Sequence, residues 1–222
     1  ELDFAPPSLF RIPLTGGSPK RVVHEGGLST SAGLIFDFAV QAGVLYYTVG
    51  NQVKSVPADA DDGAGTVVAT AAASEKVYGV AVDGSLLFWE AGVPLQPFYN
   101  VESDLILCGN RHTLATRDYY LGQNSLTTDG TSVYWAEGAT LKRRVYDAST
   151  PQETFASTGG SQITAFAVKG ATAYFIAGDR VAKATVGEKP RAIARGEFLR
   201  SLVVGESGVY WTDGNNIMRA DL

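Results

Sequence analysis

Two histidines, His24 and His112, are the side chains best suited to acid–base or metal chemistry in this 222-residue chain. A metal centre gathers three or four matched ligands. His24 ends a strand-like run, Arg21-Val22-Val23-His24, and His112 lies in a long segment between apolar runs. Nothing in the pattern brings them together, so no metal site and no cofactor is predicted. Asp59-Ala60-Asp61-Asp62-Gly63 has the look of a calcium loop. That motif needs glycine at its sixth position and glutamate at its twelfth, and here the glycine comes one place early with no such glutamate. The segment reads as a solvated hairpin tip. Lys142-Arg143-Arg144 reads as a solvated strand edge, and Asp37 is the clearest titratable group in the apolar runs. The single cysteine, Cys108, cannot form an internal disulfide and is expected to act as a small buried hydrophobe. There is no Gly-x-Ser-x-Gly elbow and no phosphate loop, and Gly26-Gly27 and Gly159-Gly160 read as turns.

The elements that must carry these groups are strands. Hydrophobic residues make up 45% of the chain and charged residues 18%, with 25 glycines, a balance suited to an all-β domain rich in turns. The net charge is −5, which supplies no general basic surface for nucleic acid. No run approaches the roughly 20 apolar residues of a membrane helix. The start, Glu1-Leu2-Asp3-Phe4, reads as a processed end, in keeping with export to the cell envelope or beyond.

Five aromatic pairs punctuate the chain: Tyr46-Tyr47, Phe88-Trp89, Tyr134-Trp135, Tyr174-Phe175 and Tyr210-Trp211. Each is followed by a glycine (Gly50, Gly92, Gly138, Gly178, Gly214) and then by an aliphatic residue (Val53, Leu95, Leu141, Val181, Ile217). Six residues before each pair stands Val40, Val82, Thr128, Val168 or Val204. A repeat of roughly 40 residues with several short strands predicts the blades of a β-propeller. Neighbouring side chains of a strand point to opposite faces, so each pair offers one ring to each side. A sheet covered on both faces calls for that arrangement. Trp89, Trp135 and Trp211 obey the same register as Tyr47 and Phe175, so they are expected in the core and not on a sugar. Ala69 to Lys76 is alanine-rich, but it spans too few turns for a helix and is expected to be a loop.

At the ends, Leu9-Phe10-Arg11-Ile12-Pro13-Leu14 matches Ile217-Met218-Arg219-Ala220-Asp221-Leu222, and both read as third strands. The N-terminal copy continues to an outer strand and the C-terminal copy does not. This predicts one domain, residues 1–222, forming a five-bladed ring whose closure is shared between N- and C-terminal strands. One third strand is then surplus and available for pairing with another subunit, unless the ring holds a sixth, incomplete blade.

Tyr210-Trp211-Thr212-Asp213 with Ile217-x-Arg219 resembles the YWTD repeats of the low-density-lipoprotein-receptor type of propeller, and the Leu9-to-Gly17 segment looks like the same repeat in uncharacterised bacterial proteins. The full tetrad occurs once, and the other four copies lack its aspartate. The resemblance implies a propeller, a six-bladed count as the alternative, a leaning toward binding, and aspartate-mediated ties between neighbouring blades that must here be reduced or replaced. Likeness at the level of streptogramin-lyase-like and gluconolactonase-like propellers implies the alternative of a metal-dependent lyase or hydrolase, and a third reading is an architectural piece of a larger envelope protein.

A ligand-facing residue should break the repeat, not obey it. Four places before each inner-strand valine or threonine stand Phe36, Tyr78, Asn124, Thr164 and Arg200, different in every unit. Arg111, His112, Tyr119 and Tyr120 lengthen one repeat with residue types favoured at interfaces. These nine residues are the expected binding set of a non-catalytic recognition module whose partner is a protein, peptide or glycan, with no catalytic residue assigned.

Overall fold

A computed structural model describes residues 7–13, 15–25, 34–94, 99–105, 112–117, 126–146 and 150–222. Cys108, Arg111, Tyr119, Tyr120 and Asn124 lie outside the described residues, and of His112 the backbone alone is described. The described residues contain no helix. They form 21 strands in six antiparallel sheets. The chain divides into two compact units, Glu1–Thr113 and Leu114–Leu222.

In the first unit β1 (Ser8–Arg11) and β2 (Lys20–His24) pair with each other. The next sheet runs β3 (Ile35–Gln41), β4 (Val44–Val49), β5 (Gln52–Pro57) and β6 (Thr66–Thr70) in sequence order. A third runs β7 (Lys76–Asp83), β8 (Leu86–Gly92), β9 (Tyr99–Leu105) and β10 (His112–Arg117), and the unit boundary falls inside β10. The second unit holds β11 (Leu126–Thr128), β12 (Ser132–Glu137), β13 (Thr140–Val145) and β14 (Glu153–Ser157). These are followed by β15 (Ile163–Lys169), β16 (Thr172–Ala177), β17 (Arg180–Thr185) and β18 (Arg191–Arg195). A three-stranded sheet, β19 (Leu199–Val204), β20 (Gly208–Asp213) and β21 (Asn216–Asp221), completes it.

The repeat register translates directly into this pattern. Gly50, Gly138, Gly178 and Gly214 turn the second strand into the third with φ between 56° and 60°, a conformation glycine adopts without steric cost. The paired rings face opposite ways. Tyr46 packs with Val80 and Trp89 of the following sheet, whereas Tyr47 joins Val22, Val23 and Val56 on the other side. In the second unit Tyr134 and Leu141 pack with Phe166 and Phe175, and Tyr174 and Val181 pack with Leu202 and Trp211. Trp89, Trp135 and Trp211 are buried, as their register requires.

Three expectations need correction, and a fourth needs an addition. Leu95 lies outside the described residues, and the described third strand of the Phe88–Trp89 sheet is Tyr99–Leu105. Gly92 belongs to β8, and the residue opposite Glu90 is Val101, which holds the place of Val53, Leu141 and Val181. Pro94 and Pro97 explain the displacement, because proline supplies no N–H to a central ladder. The Ala69–Lys76 stretch is a loop in its middle, but Ala69 and Thr70 end β6 and Lys76 begins β7. Asp62 is exposed, as a solvated tip requires, but it is also engaged. It accepts from Arg21 Nε at 2.7 Å and meets His24 Nδ1 at 2.5 Å, while the Gly63 N–H donates to Val22 O at 2.9 Å. Finally, the shared blade is not one sheet among the described residues: β1 pairs with β2, and β21 with β20. A sheet has one place beside its second strand. With β21 in that place beside β20, β1 stays with β2, whose Val22 and Val23 pack on Leu45, Tyr47 and Val56.

Gly65 allows a close approach that a side chain would block. A Cβ there would lie 2.0 Å from Tyr47 Oη and 2.8 Å from its Cζ. The phenol is held by Glu25 Oε1 at 2.5 Å, and Lys54 Nζ holds Glu25 Oε2 at 2.7 Å. Burial, then the Glu25 hydrogen bond, pushes the Tyr47 phenol above its ordinary range. Gly65→Ala is therefore expected to cost about 1–3 kcal/mol, as overpacking does, read from urea unfolding at constant m-value.

Candidate functional site

Four of the five described inner strands are interrupted at one repeated place. In β3 the register passes from Ile35↔Val49 to Phe38↔Tyr47, leaving Phe36 and Asp37 opposite Thr48. In β7 it passes from Val77↔Ala91 to Gly79↔Glu90, leaving Tyr78 over. In β15 Thr164 is the extra residue between Ile163↔Ala177 and Ala165↔Ile176. In β19 Arg200 and Ser201 face Thr212 between Leu199↔Asp213 and Leu202↔Trp211. Phe36, Tyr78, Thr164 and Arg200, the described members of the variable set, are thus all β-bulge residues. A bulge re-aims a side chain and frees it from the ladder, and bulges concentrate near functional sites.

The first unit brings two of these residues together. The Phe36 and Tyr78 rings lie 5.0 Å apart, tilted by 58°, with Phe36 half-buried and Tyr78 buried. Tyr78 is therefore less open than expected, because Phe36 covers it. Thr48 Oγ1 accepts from Phe36 N at 3.2 Å and from Asp37 N at 3.0 Å, so the bulge leaves neither N–H orphaned. The buried Asp37 carboxylate accepts from Phe38 N at 2.9 Å through Oδ1 and from Val80 N at 3.1 Å through Oδ2. It joins β3 to β7. Asp37 is a structural tie between neighbouring sheets on the inner strand β3, whereas the position of the tetrad's aspartate in this repeat is held by Val49 on β4. Asp213, the tetrad's own aspartate, accepts from Phe198 N at 3.0 Å on the approach to β19 in its own sheet. In the second unit Thr164 and Arg200 are exposed.

Other candidates resolve into structure. The basic run is engaged, not solvated. Arg143 Nε meets Glu153 at 2.7 Å, with the guanidinium 5.7 Å over the Phe155 ring, and Lys142 Nζ meets Thr154 at 3.2 Å. Among the described residues no three His, Cys, Asp or Glu side chains converge as metal ligands. An open cleft of about 580 Å³ lies in the second unit, lined by Thr158, Gly159, Ser161, Arg180 and Lys189 among others. It is lined by none of the residues of the expected binding set. Its Gly159-Gly160 turn could have marked it, but such pairs are common between strands.

Asp129 caps the turn from β11 to β12. Its Oδ1 accepts from Thr131 N and Ser132 N at 2.9 and 2.8 Å, and its Oδ2 accepts from Tyr134 Oη at 2.5 Å. Burial raises the Asp129 carboxyl, but these hydrogen bonds outweigh it and hold the group below its ordinary range. Burial, then the bond to Asp129, pushes the Tyr134 phenol up to about 12. The folded state thus holds that proton more tightly than the unfolded chain, whose tyrosines titrate near ~10. The stabilisation is complete below the unfolded value and is lost as pH rises through the folded one. Stability is expected to fall between about pH 10 and 12, more shallowly in Tyr134→Phe, as read from denaturant midpoints across that range.

No protein-family model matches the sequence, and no curated protein matches it. Solved structures do match. A chain of the nidogen/laminin complex aligns at TM-score 0.69 and 17% identity, over 97% of this chain and 86% of that one. The WD40 β-propeller domain of Doa1 aligns at 0.60 and 15%, over 84% and 64%. The extracellular domain of a hybrid two-component system from B. thetaiotaomicron aligns at 0.58 and 11%, over 97% of this chain and 33% of that one. At such identities the likeness carries the fold, and the fold is a β-propeller.

Proposed function

We propose that this propeller is a non-catalytic recognition module of the YWTD type, one domain over residues 1–222, acting at the cell envelope or outside the cell on a protein or peptide ligand. The observation that supports it is the recurrence of the bulge. One position in four of the five described inner strands, β3, β7, β15 and β19, is released from the ladder, and it carries a different side chain each time: Phe36, Tyr78, Thr164 and Arg200. A scaffold that fixes a position and varies its chemistry is built for selective contact. The Phe36–Tyr78 ring pair offers an aromatic anchor and Arg200 a cationic one, the types that dominate recognition energetics. The extracellular location of one similar fold supports export as part of the same reading.

Peptide and glycan arrays probed with the purified chain test it, followed by titration of the best ligand against Phe36→Ala and Arg200→Ala. Each change is expected to weaken binding by about tenfold or more. A glycan hit in place of a peptide changes the ligand class. Binding that both variants leave intact, with unchanged thermal melts, removes the bulges from the site.

A further inference from the structure

One cross-strand row is cut short in the sheet of β16, β17 and β18. Residues directly opposite each other on adjacent strands share a face of the sheet. In the first unit the row from second to outer strand is Tyr47, Lys54 and Val67. In β12 to β14 it is Trp135, Lys142 and Thr154, and in β20 and β21 it is Trp211 and Met218. In β16 to β18 the same row is Phe175, Ala182 and Ala192. Each member is smaller than its counterparts, and all three line the open cleft of about 580 Å³.

The first unit shows what occupies the corresponding place there. Glu25 N donates to Pro7 O at 3.1 Å and Thr158 N to Ala139 O at 2.9 Å. Pro7 and Ala139 each stand two residues before the leucine, Leu9 or Leu141, that pairs with the outer strand, so Glu25 and Thr158 hold one position of the repeat. The Glu25 carboxylate is gripped by Tyr47 Oη at 2.5 Å and Lys54 Nζ at 2.7 Å. Phe175, Ala182 and Thr158 replace the phenol, the ammonium and the carboxylate together. The cations at the cleft come instead from Arg180 and Lys189, and no carboxylate lines it among the described residues. Asp179 meets Arg180 Nε at 3.4 Å but is shared with Arg195 at 2.5 Å. Lys189 makes no ion pair among the described residues. The place therefore carries an excess of positive charge over an apolar floor.

We propose that this cleft binds a small organic anion, an apolar body that carries a carboxylate. The ligand supplies the carboxylate that Glu25 supplies in the first unit, and Arg180 and Lys189 receive it. A guanidinium fork matches the two oxygens of a carboxylate, and an ammonium adds a point charge. The apolar body lies over Phe175, Ala182 and Ala192, and the cleft has the volume of a small-molecule site. Thr164 and Arg200 do not line it, so it stands apart from the bulge residues.

Calorimetric titration of the intact chain with 2-naphthoate, beside its neutral twin 2-naphthamide, tests this. Naphthoate is expected to saturate below about 1 mM, and naphthamide to bind about tenfold or more weakly. Ala182→Lys returns the side chain that Lys54 and Lys142 place in the sister rows. It should weaken naphthoate by about tenfold or more even though it adds a positive charge. Arg180→Gln with Lys189→Gln should weaken it as much and remove the fall of affinity with salt that the parent chain shows. Both of those residues are exposed, so the double variant reads the site even if Ala182→Lys does not fold. Three results overturn the proposal: no saturation by about 1 mM, equal binding of naphthoate and naphthamide, or naphthoate binding left intact by either variant with an unchanged thermal melt.

Discussion

Replacing Trp135 with alanine is expected to lower the unfolding free energy by about 3–5 kcal/mol, the range for removing a large buried aromatic side chain. Trp135 is fully buried, and it holds the second place of an aromatic pair in the second unit. Its loss removes apolar burial and leaves a cavity bounded by strand backbones that cannot collapse into it. The repeat supplies an internal control. Leu141 and Ile217 hold the same place in their third strands, but Leu141 is fully buried and Ile217 is 80% exposed. Leu141→Ala should cost about 2–5 kcal/mol and Ile217→Ala no more than about 0.5 kcal/mol. Urea unfolding of the three variants measures this directly. Equal losses at Leu141 and Ile217, which share one register place, would mean that Ile217 is covered as Leu141 is and that the exposed face assigned to β21 is wrong.

The fold was legible because the repeat shows itself in side chains that packing constrains. A ring on each face, a left-handed turn three residues on and an aliphatic residue beyond it are needed wherever one sheet lies between two others, so they survive in each copy. The departures come from constraints invisible to that pattern. Val93-Pro94-Leu95-Gln96-Pro97 contains an aliphatic residue at the expected distance from Gly92, and counting alone places a strand there; the prolines were the signal against it. The ends misled for another reason. β1 and β21 share the pattern of two apolar residues followed by arginine, and sequence cannot say which of two like-patterned strands takes a single place. The bulge positions were visible as the points where the repeat stops repeating, but their geometry was not. Nothing in Phe36-Asp37 announces that the backbone gives an extra residue there, nor that Thr48, across the hairpin, receives both freed N–H groups. Arg111, His112, Tyr119 and Tyr120 were singled out by composition in a lengthened repeat, with no periodic constraint behind them.

Asp37→Ala is expected to destabilise the chain by about 3–5 kcal/mol, because two hydrogen bonds to a buried charged acceptor are lost together and their backbone donors stay buried. The donors are Phe38 N and Val80 N, on β3 and on its neighbour β7. The change therefore weakens the junction between two sheets as well as one strand. Asp37→Asn keeps the shape and one acceptor oxygen, so it should recover roughly half of the loss. This pair of variants also separates tie from catalyst. A catalytic carboxylate can lose its charge with little effect on folding, often with a gain in stability, since sites tuned for chemistry carry strain. A carboxylate that clamps two backbone N–H groups cannot. If thermal and urea unfolding of Asp37→Ala match the parent chain, the carboxylate is not the tie between β3 and β7 and becomes a candidate for chemistry again. If hydrogen exchange quickens at Val80 and Phe38 before it does in the rest of β7 and β3, the junction between the two sheets opens first when this carboxylate is gone.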